Sequence, residues 1–265
     1  MNRNSLAETR ARHPGGRLFR WPAPLCLVLL LLVAGPRVAA ESGPETLLSW
    51  RSPAVEAEAR MPWLPADPEL AARLRRQAFA ELAEFVAEAE RGLAELVAEN
   101  PASAGFPWLW DSRVEIVFAA PCCLSLRRDL DVDSGGAHGN RATESIFWDR
   151  RGGRVVPLDE LLDLEAAKPA LDAALRAAFR EAQRERGLPM GGQDEPHWFG
   201  PPEAGADSVF TLIAGLRPGI ARGLLFHFPP YALGPYAEGG YRLPVPASRF
   251  LAYLRPRFRR LFTAD

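Results

Sequence analysis

The chain has 265 residues, enough for one large domain or two small ones that bury a core without disulfide bonds. Its formal net charge is −1, but six arginines and one acid lie in residues 1–40, so residues 41–265 keep 26 basic and 32 acidic side chains, a net charge of −6. A moderately acidic surface argues against nucleic acid and against electrostatic docking to a membrane, and it is compatible with a basic protein partner.

Residues 1–40 have the three parts of a secretory signal. Five arginines precede the apolar run Leu25–Ala34, and the small residues of Val38–Ala40 are typical of a cleavage site. Ten apolar residues form a helix about 15 Å long, about half the thickness of the bilayer hydrocarbon. We therefore predict an exported protein, periplasmic or secreted, whose signal is cleaved; retention as an uncleaved signal anchor is the alternative.

Residues 41–66 are polar and interrupted by prolines, and we predict an extended lead-in. A helix start follows at Asp67-Pro68-Glu69, where an N-cap residue precedes a proline and an acid in the first turn. Apolar residues then recur with a helical period as far as Asn100-Pro101. The pattern predicts one long helix over 67–99 with a single buried stripe.

Two strands are predicted next, 114–120 and 122–132, joined near Pro121. In the second strand apolar and polar residues alternate, which places Cys122 inward and Cys123 outward. Neighbouring Cα atoms lie about 3.8 Å apart, too close for an unstrained disulfide. Arg128 is the one charge on the inner stripe, so we expect it near a sheet edge or a carboxylate.

The remaining segments complete an α+β pattern, with helices and strands in separate runs. We predict an antiparallel sheet backed by the long N-terminal helix and a second helix. The predicted elements are a strand at 145–148, a short helix at 158–164, the second helix at 169–186 ended by Gly187, a long loop at 188–206, strands at 208–213, 223–228 and 241–245, a last short helix capped by Ser248, and a basic tail from Arg255 to Arg260.

Two segments carry a family resemblance. The first, 126–140, contains Gly135-Gly136-Ala137-His138; the second, 223–246, contains Pro230-Tyr231 followed by Tyr236-Ala237. Together they resemble the domain of unknown function shared by the anti-sigma factor RsiV and the non-catalytic part of the peptidoglycan deacetylase PdaC. The resemblance covers roughly residues 45–260. It implies an N-terminal companion segment at 67–120 and an RsiV-like α+β domain at 121–260.

The resemblance also implies an extracytoplasmic module, which binds lysozyme in RsiV and accompanies a catalytic domain in PdaC. Only about 20 residues precede the apolar run, and the paired aspartates and metal-binding histidines of the deacetylase half are not found. We therefore expect binding in the envelope, without sigma-factor release or deacetylation.

No complete catalytic motif accompanies the histidine of the first segment. His138 could act as a general base, contact a partner, or hold a glycine turn by hydrogen bonds to the backbone, which we favour. Asp129-x-Asp131-x-Asp133 resembles the start of a calcium loop but lacks its glycine and glutamate, so we predict no metal and no cofactor. The tyrosines either form a glycan-stacking platform or close their loop through their hydroxyls. The candidate binding residues are His138, Asn140, Tyr231, Tyr236, His197 and Trp198, and the predicted turn residues are Gly135, Gly136 and Gly239.

The sequence thus predicts a non-catalytic exported module of the cell envelope that binds a cell-wall-associated, lysozyme-like protein or glycan. An envelope hydrolase that uses His138 with a nearby acid is the alternative, and a structural role in envelope integrity is a third hypothesis.

Overall fold

A six-stranded sheet and a three-stranded sheet form the framework of the protein. The computed structural model describes residues 45–100, 105–136, 138–188 and 199–263, and residues 41–265 form one compact unit. The strands are β1 Glu45–Arg51, β2 Val55–Met61, β3 Trp108–Ala120, β4 Cys123–Asp133, β5 Asn140–Asp149, β6 Arg154–Val155, β7 Phe210–Ala214, β8 Ala221–Phe228 and β9 Tyr241–Pro246. The helices are α1 Pro68–Glu99, α2 Leu158–Leu161 and α3 Leu164–Glu185, with single 3₁₀ turns at Tyr236–Glu238, Ala247–Arg249, Leu251–Tyr253 and Pro256–Leu261.

The predicted α+β class is confirmed. In the larger sheet β1 to β6 lie side by side in chain order, and every pairing is antiparallel except that of β2 with β3. These two strands are parallel because α1 connects them and returns the chain to the end of the sheet where β2 began. The second sheet, β7 to β9, is antiparallel throughout.

The lead-in predicted at 41–66 supplies two strands of the larger sheet. β2 alternates buried and more exposed residues, with Val55, Ala57, Ala59 and Met61 buried. These side chains lie in the cores between the sheet and α1. The segment is therefore part of the folded unit.

Helix α1 has the predicted bounds and covers one face of the larger sheet. Leu70, Leu74 and Leu82 on its apolar stripe are buried. Asp67 makes no capping hydrogen bond with its side chain. Its buried carboxylate instead accepts hydrogen bonds from Arg150 Nε at 2.9 Å and Nη2 at 2.8 Å, which ties the start of the helix to the end of β5.

Arg128 is buried on the α1 face and meets carboxylates, as predicted. Its guanidinium binds Glu81 of α1 and lies 3.1 Å from Glu144 of β5, while Nε donates to Ser112 Oγ at 2.8 Å. Burial acts to raise the pKa of Glu81, but the hydrogen bonds from Arg128 and Gln77 outweigh it and lower that pKa. A buried charge needs such partners because an unpaired one is strongly destabilising.

The smaller sheet meets the other face of the larger one through the free edge of β7. The backbone N–H of Phe210 donates to Ser145 Oγ at 2.9 Å, and that of Leu212 donates to Ser125 Oγ at 3.1 Å. Serines of β5 and β4 thereby accept hydrogen bonds from backbone N–H groups at the edge of β7 that would otherwise lack partners. Helix α3 packs against β9, so that the smaller sheet and α3 together form the layer that covers this face of the larger sheet.

This layer overturns the prediction for the two cysteines. Cys123 is fully buried, whereas Cys122, in the turn before β4, is half-buried. Side chains of β4 alternate between its two faces as predicted. Near Cys123, however, the face predicted to be exposed is covered by the smaller sheet and the C-terminal turns. Both thiols are free, with their Sγ atoms 3.3 Å apart.

The second predicted helix and the predicted C-terminal helix also differ from the structure. Helix α3 begins five residues before Pro169 because Asp163 caps it, accepting a hydrogen bond from Ala166 N. It ends as predicted at Gly187, whose φ is +66°. Short 3₁₀ turns replace the helix expected after Ser248. Among the described helices, none has the length and apolarity to cross a bilayer.

Candidate functional site

The two motif segments meet at a cluster of three rings. The imidazole of His138 stacks on Tyr236, with ring centroids 3.9 Å apart and planes 15° from parallel. Tyr231 lies against both, 6.2 Å from His138 and 5.4 Å from Tyr236. His138 and Tyr231 are exposed and Tyr236 is half-buried, so we call this set the aromatic cluster. It presents ring surface to solvent.

Hydrogen bonds to one carbonyl hold the cluster together. Gly139 O accepts from Tyr236 Oη at 2.7 Å and lies 3.0 Å from His138 Nδ1. A carbonyl only accepts, so in the neutral ring the proton resides on Nδ1. Nε2 is then the acceptor for Tyr231 Oη, 3.3 Å away. His138 thus has the backbone-binding role that the sequence favoured, together with a tyrosine contact.

Tyr231 has an unfavourable backbone conformation. With a φ of +70° it is the one non-glycine residue of the described chain at positive φ. Such a conformation costs on the order of 1–3 kcal/mol and tends to occur at functional sites. Its side chain is 55% exposed, so burial of the ring does not offset the strain.

The loop that carries the tyrosines is anchored by the end of α3. Arg186 Nη1 and Nη2 donate to the carbonyls of Glu238 and Gly240, each at 2.7 Å, and the guanidinium lies 3.9 Å from the centroid of the Tyr241 ring. Tyr241 Oη in turn binds Glu238. Burial, with this hydrogen bond, raises the pKa of Tyr241 to about 12. The loop is therefore fixed at the end that leads into β9.

A cleft of about 630 Å³ lies beside the cluster. It is enclosed by β3, β4 and β5 of the larger sheet, the end of α3, and the facing ends of β8 and β9. Pro230, next to Tyr231, lines it, as does Arg141, whose pKa is raised chiefly by Asp131 and also by Tyr236. The aromatic cluster therefore borders one end of the cleft.

Apart from Arg186, the arginines of the cleft fall into two groups. Arg127 is bound to Glu115 and Asp129, and Arg141 is bound to Asp131. Arg113 and Arg242 are exposed and form no ion pair within the described ranges. These two guanidinium groups are free to meet an anionic ligand.

His227 lies on the inner wall of the same cleft. It is buried, and Nε2 is 2.9 Å from Thr211 Oγ1. Burial, followed by the charges of Arg127 and Arg242, lowers the pKa of His227 to about 4. The ring is therefore neutral at neutral pH and available only for hydrogen bonding.

The other residues singled out from the sequence lie apart from the ring contacts. Asn140 begins β5, is exposed, and pairs across the sheet with Val132. Gly135 and Gly239 have positive φ values of 80° and 71°, as turn residues do, whereas Gly136 does not. His197 and Trp198 lie outside the described residues.

The aspartate series on β4 binds protein donors. Asp129 accepts from Arg127 and Thr143, Asp131 binds Arg141, and Asp133 accepts from the backbone N–H of Gly135. The described part of the chain has no group of three or more metal-ligating side chains.

Four functional candidates were missed from the sequence. Arg113 is on an alternating stretch of β3, Asp111-x-Arg113-x-Glu115, whose period of two could have indicated a charged face. Arg242 and His227 face each other in the register of β8 with β9, which the sequence does not specify. Arg186 lies just beyond the end of α3, and no pattern in the sequence indicates its contact with residues 238–240.

The geometry of His138 differs from that of the histidine in a catalytic triad. Its hydrogen-bond partners are a carbonyl and a tyrosine hydroxyl. No carboxylate of the described residues orients the imidazole, as the acid of a catalytic triad does. These contacts hold the three rings in place.

Comparison with known proteins identifies the fold. No family model and no curated protein matches the sequence. A DUF3298 family member from Bacteroides fragilis NCTC 9343 is 17% identical with a TM-score of 0.56, over 81% of this chain and 92% of that one. A DUF3298 family protein from Pseudomonas aeruginosa PAO1 is also 17% identical, with a TM-score of 0.55, over 84% and 94%. The chain therefore has the fold of these proteins, whose domain is one of unknown function.

Proposed function

We propose that the protein is a non-catalytic binding module of the cell envelope, and that its ligand occupies the cleft beside the aromatic cluster. The observation that carries the proposal is the convergence of His138, Tyr231 and Tyr236 from two distant segments onto an exposed surface. This surface lies beside a cleft that is lined by the neighbouring Pro230 and by Arg141. The volume of the cleft, about 630 Å³, falls in the range of small-molecule sites, about 300–1,000 Å³.

The chemistry of the surface favours a glycan that carries carboxylates, such as a peptidoglycan fragment. Exposed aromatic rings offer flat apolar faces with a polar edge, which suit the alternating C–H and hydroxyl groups of a sugar. Arg113 and Arg242 offer planar donor groups that match a carboxylate. The strained backbone of Tyr231 is a feature that occurs more often at functional sites than elsewhere.

A lysozyme-like protein is the second ligand class. Residues 41–265 carry a net charge of −6, which favours encounter with a basic protein, and rigid tyrosines are frequent anchors of interfaces. The resemblance of the two motif segments to RsiV, whose module binds lysozyme, supports this class, and the resemblance to PdaC supports the glycan. Export of the module is supported by the signal-like pattern of residues 1–40.

Calorimetric titration distinguishes these ligands. Disaccharide-peptide muropeptides and a lysozyme would each be titrated into the wild type and into Tyr231→Ala. We expect a muropeptide to bind, and the variant to bind at least tenfold more weakly because it loses the exposed ring. The control is Phe79→Ala, which removes a 54%-exposed ring from α1. Binding of lysozyme but not of the muropeptide would favour the protein class of ligand. Absence of binding in both titrations would refute the proposal.

A further inference from the structure

A second groove, of about 870 Å³, lies beside the turn between β3 and β4. The C-terminal 3₁₀ turn Pro256–Leu261 forms its other side. We call it the C-terminal groove and define it by its lining residues Pro121, Cys122, Arg151, Pro256, Arg257 and Arg260.

The groove carries positive charge that the chain does not neutralise. Residues 249–260 contain five arginines and no acid, against the acidic balance of residues 41–265. Arg151 and Arg260 are exposed and have no ion pair within the residues that the structure describes. Arg257, in contrast, lies 3.5 Å from Asp149 and 3.6 Å from Glu160.

The one acid that lines the groove is already engaged. The Asp149 side chain is only 10% exposed, and Oδ1 accepts a 3.0 Å hydrogen bond from the backbone N–H of Arg151. The Asp149 carboxylate therefore interacts with Arg257 and with the backbone of the turn after β5. It does not neutralise the charge of Arg151 or Arg260. An anion that enters the groove would meet two arginines without intramolecular competitors.

The groove is preformed and partly apolar. Phe258 and Leu261 are buried beneath it, and Arg257 stacks over the Phe258 ring at 4.5 Å. The chain after the groove is fixed to β8, because Thr263 N donates to Ala221 O at 3.0 Å. Exposed Pro121 and Pro256, with half-buried Cys122, add apolar surface to the lining of the groove.

We propose that the C-terminal groove binds an anionic amphiphile, a phosphate or carboxylate joined to an apolar chain. Arg151 and Arg260 provide the donors for the anion, for which the fork of a guanidinium is well suited. The prolines and Cys122 contact the apolar chain. The same chemistry describes a free alkyl phosphate and the headgroup region of an anionic lipid. This site is independent of the cleft beside the aromatic cluster.

The test uses decyl phosphate below its critical micelle concentration, titrated into the purified protein by calorimetry. Inorganic phosphate and decyl maltoside supply the anion and the apolar chain separately. We expect decyl phosphate to bind at least tenfold more tightly than either, and to slow the alkylation of Cys122 by iodoacetamide, followed by peptide mass mapping. The double variant Arg151→Gln/Arg260→Gln should lose at least tenfold in affinity, while Arg249→Gln, exposed in the same basic segment but outside the groove, should not.

Sedimentation with vesicles distinguishes the two sources of the ligand. Phosphatidylcholine vesicles with and without phosphatidylglycerol would be used with the same variants. Loss of vesicle binding in the double variant, but not in Arg249→Gln, supports the groove and identifies a lipid headgroup; loss of decyl phosphate binding alone supports it and identifies a free amphiphile. The proposal is overturned if the double variant binds both probes as the wild type does, or if Arg249→Gln weakens binding equally.

Discussion

The phenolic hydroxyl of Tyr236 donates a 2.7 Å hydrogen bond to the backbone carbonyl of Gly139, 97 residues earlier in the chain. The same carbonyl contacts His138 Nδ1. One acceptor therefore joins the glycine-histidine segment to the tyrosine loop. The candidate site depends on this connection, because neither segment presents the three rings alone.

The first prediction concerns that hydroxyl. Tyr236→Phe keeps the ring that stacks on His138 but removes the hydrogen bond, which should cost about 0.5–1.5 kcal/mol of unfolding free energy. Urea unfolding measures the loss. Tyr253→Phe is the matched control, since that half-buried hydroxyl has no hydrogen-bond partner among the described residues. Equal stabilities of the two variants would contradict the role given to Tyr236.

Arg186 should control the order of the tyrosine loop. Arg186→Lys keeps the charge but cannot reproduce two parallel hydrogen bonds to the carbonyls of Glu238 and Gly240. In this variant we expect the backbone amides of residues 229–240 to exchange with deuterium faster than in the wild type. The amides of β3 and β4 should exchange at the wild-type rate. Arg180→Lys should exchange like the wild type, because Arg180 also lies on α3 but its side chain has no ion pair or hydrogen bond within the residues that the structure describes. A wild-type exchange pattern in Arg186→Lys would exclude the anchoring role.

His227 should make the protein less stable in mild acid. Because burial lowers the folded-state pKa to about 4, from about 6.5 in an unfolded chain, the contribution of the neutral ring is fully present above about pH 6.5. It is lost as the pH falls from about 6.5 to about 4, and the difference is on the order of 3 kcal/mol.

Urea unfolding between pH 4 and pH 7 tests this dependence. In His227→Gln the decline over this interval should be smaller, because no imidazole has to be protonated on unfolding. Thr211→Val loses the hydrogen bond to the ring but keeps the buried imidazole, so it should retain the decline. A His227→Gln profile parallel to that of the wild type would contradict the prediction.

Export should yield a shortened protein. If residues 1–40 are a cleaved signal, the protein recovered from the envelope or medium should begin at Glu41, which N-terminal mass spectrometry detects. A product that keeps residues 1–40 in the membrane fraction would indicate a signal anchor. A full-length product in the cytosol would contradict export.

Local patterns were sufficient for helix α1, for the end of α3 and for the parity of β4. The proline and acids at 67–69 and the apolar period up to Asn100 specified α1 within a residue, and Gly187 specified the end of α3. Alternation in β4 correctly assigned Arg128 to the inner stripe, where it meets Glu81 and Glu144. These features depend on neighbours in the chain, which a sequence displays directly.

Features that depend on pairing between distant segments could not be predicted. Two alanines among charged residues concealed the alternation of β2, since small side chains give a weak pattern. Cys123 was expected on the outward face of β4 because the sequence does not show that the smaller sheet covers that face. The contacts of Tyr236 with Gly139, and of Arg186 with the loop, likewise require the folded chain.

Hydrogen–deuterium exchange with and without ligand tests the proposed binding surface most directly. The protein would be labelled alone, with a muropeptide, and with a lysozyme. We predict slower exchange in 138–143 and 229–242, the segments of the aromatic cluster and the adjoining cleft, in the presence of the ligand that binds. Protection confined to other segments would contradict the account, as would an exchange pattern that neither ligand changes.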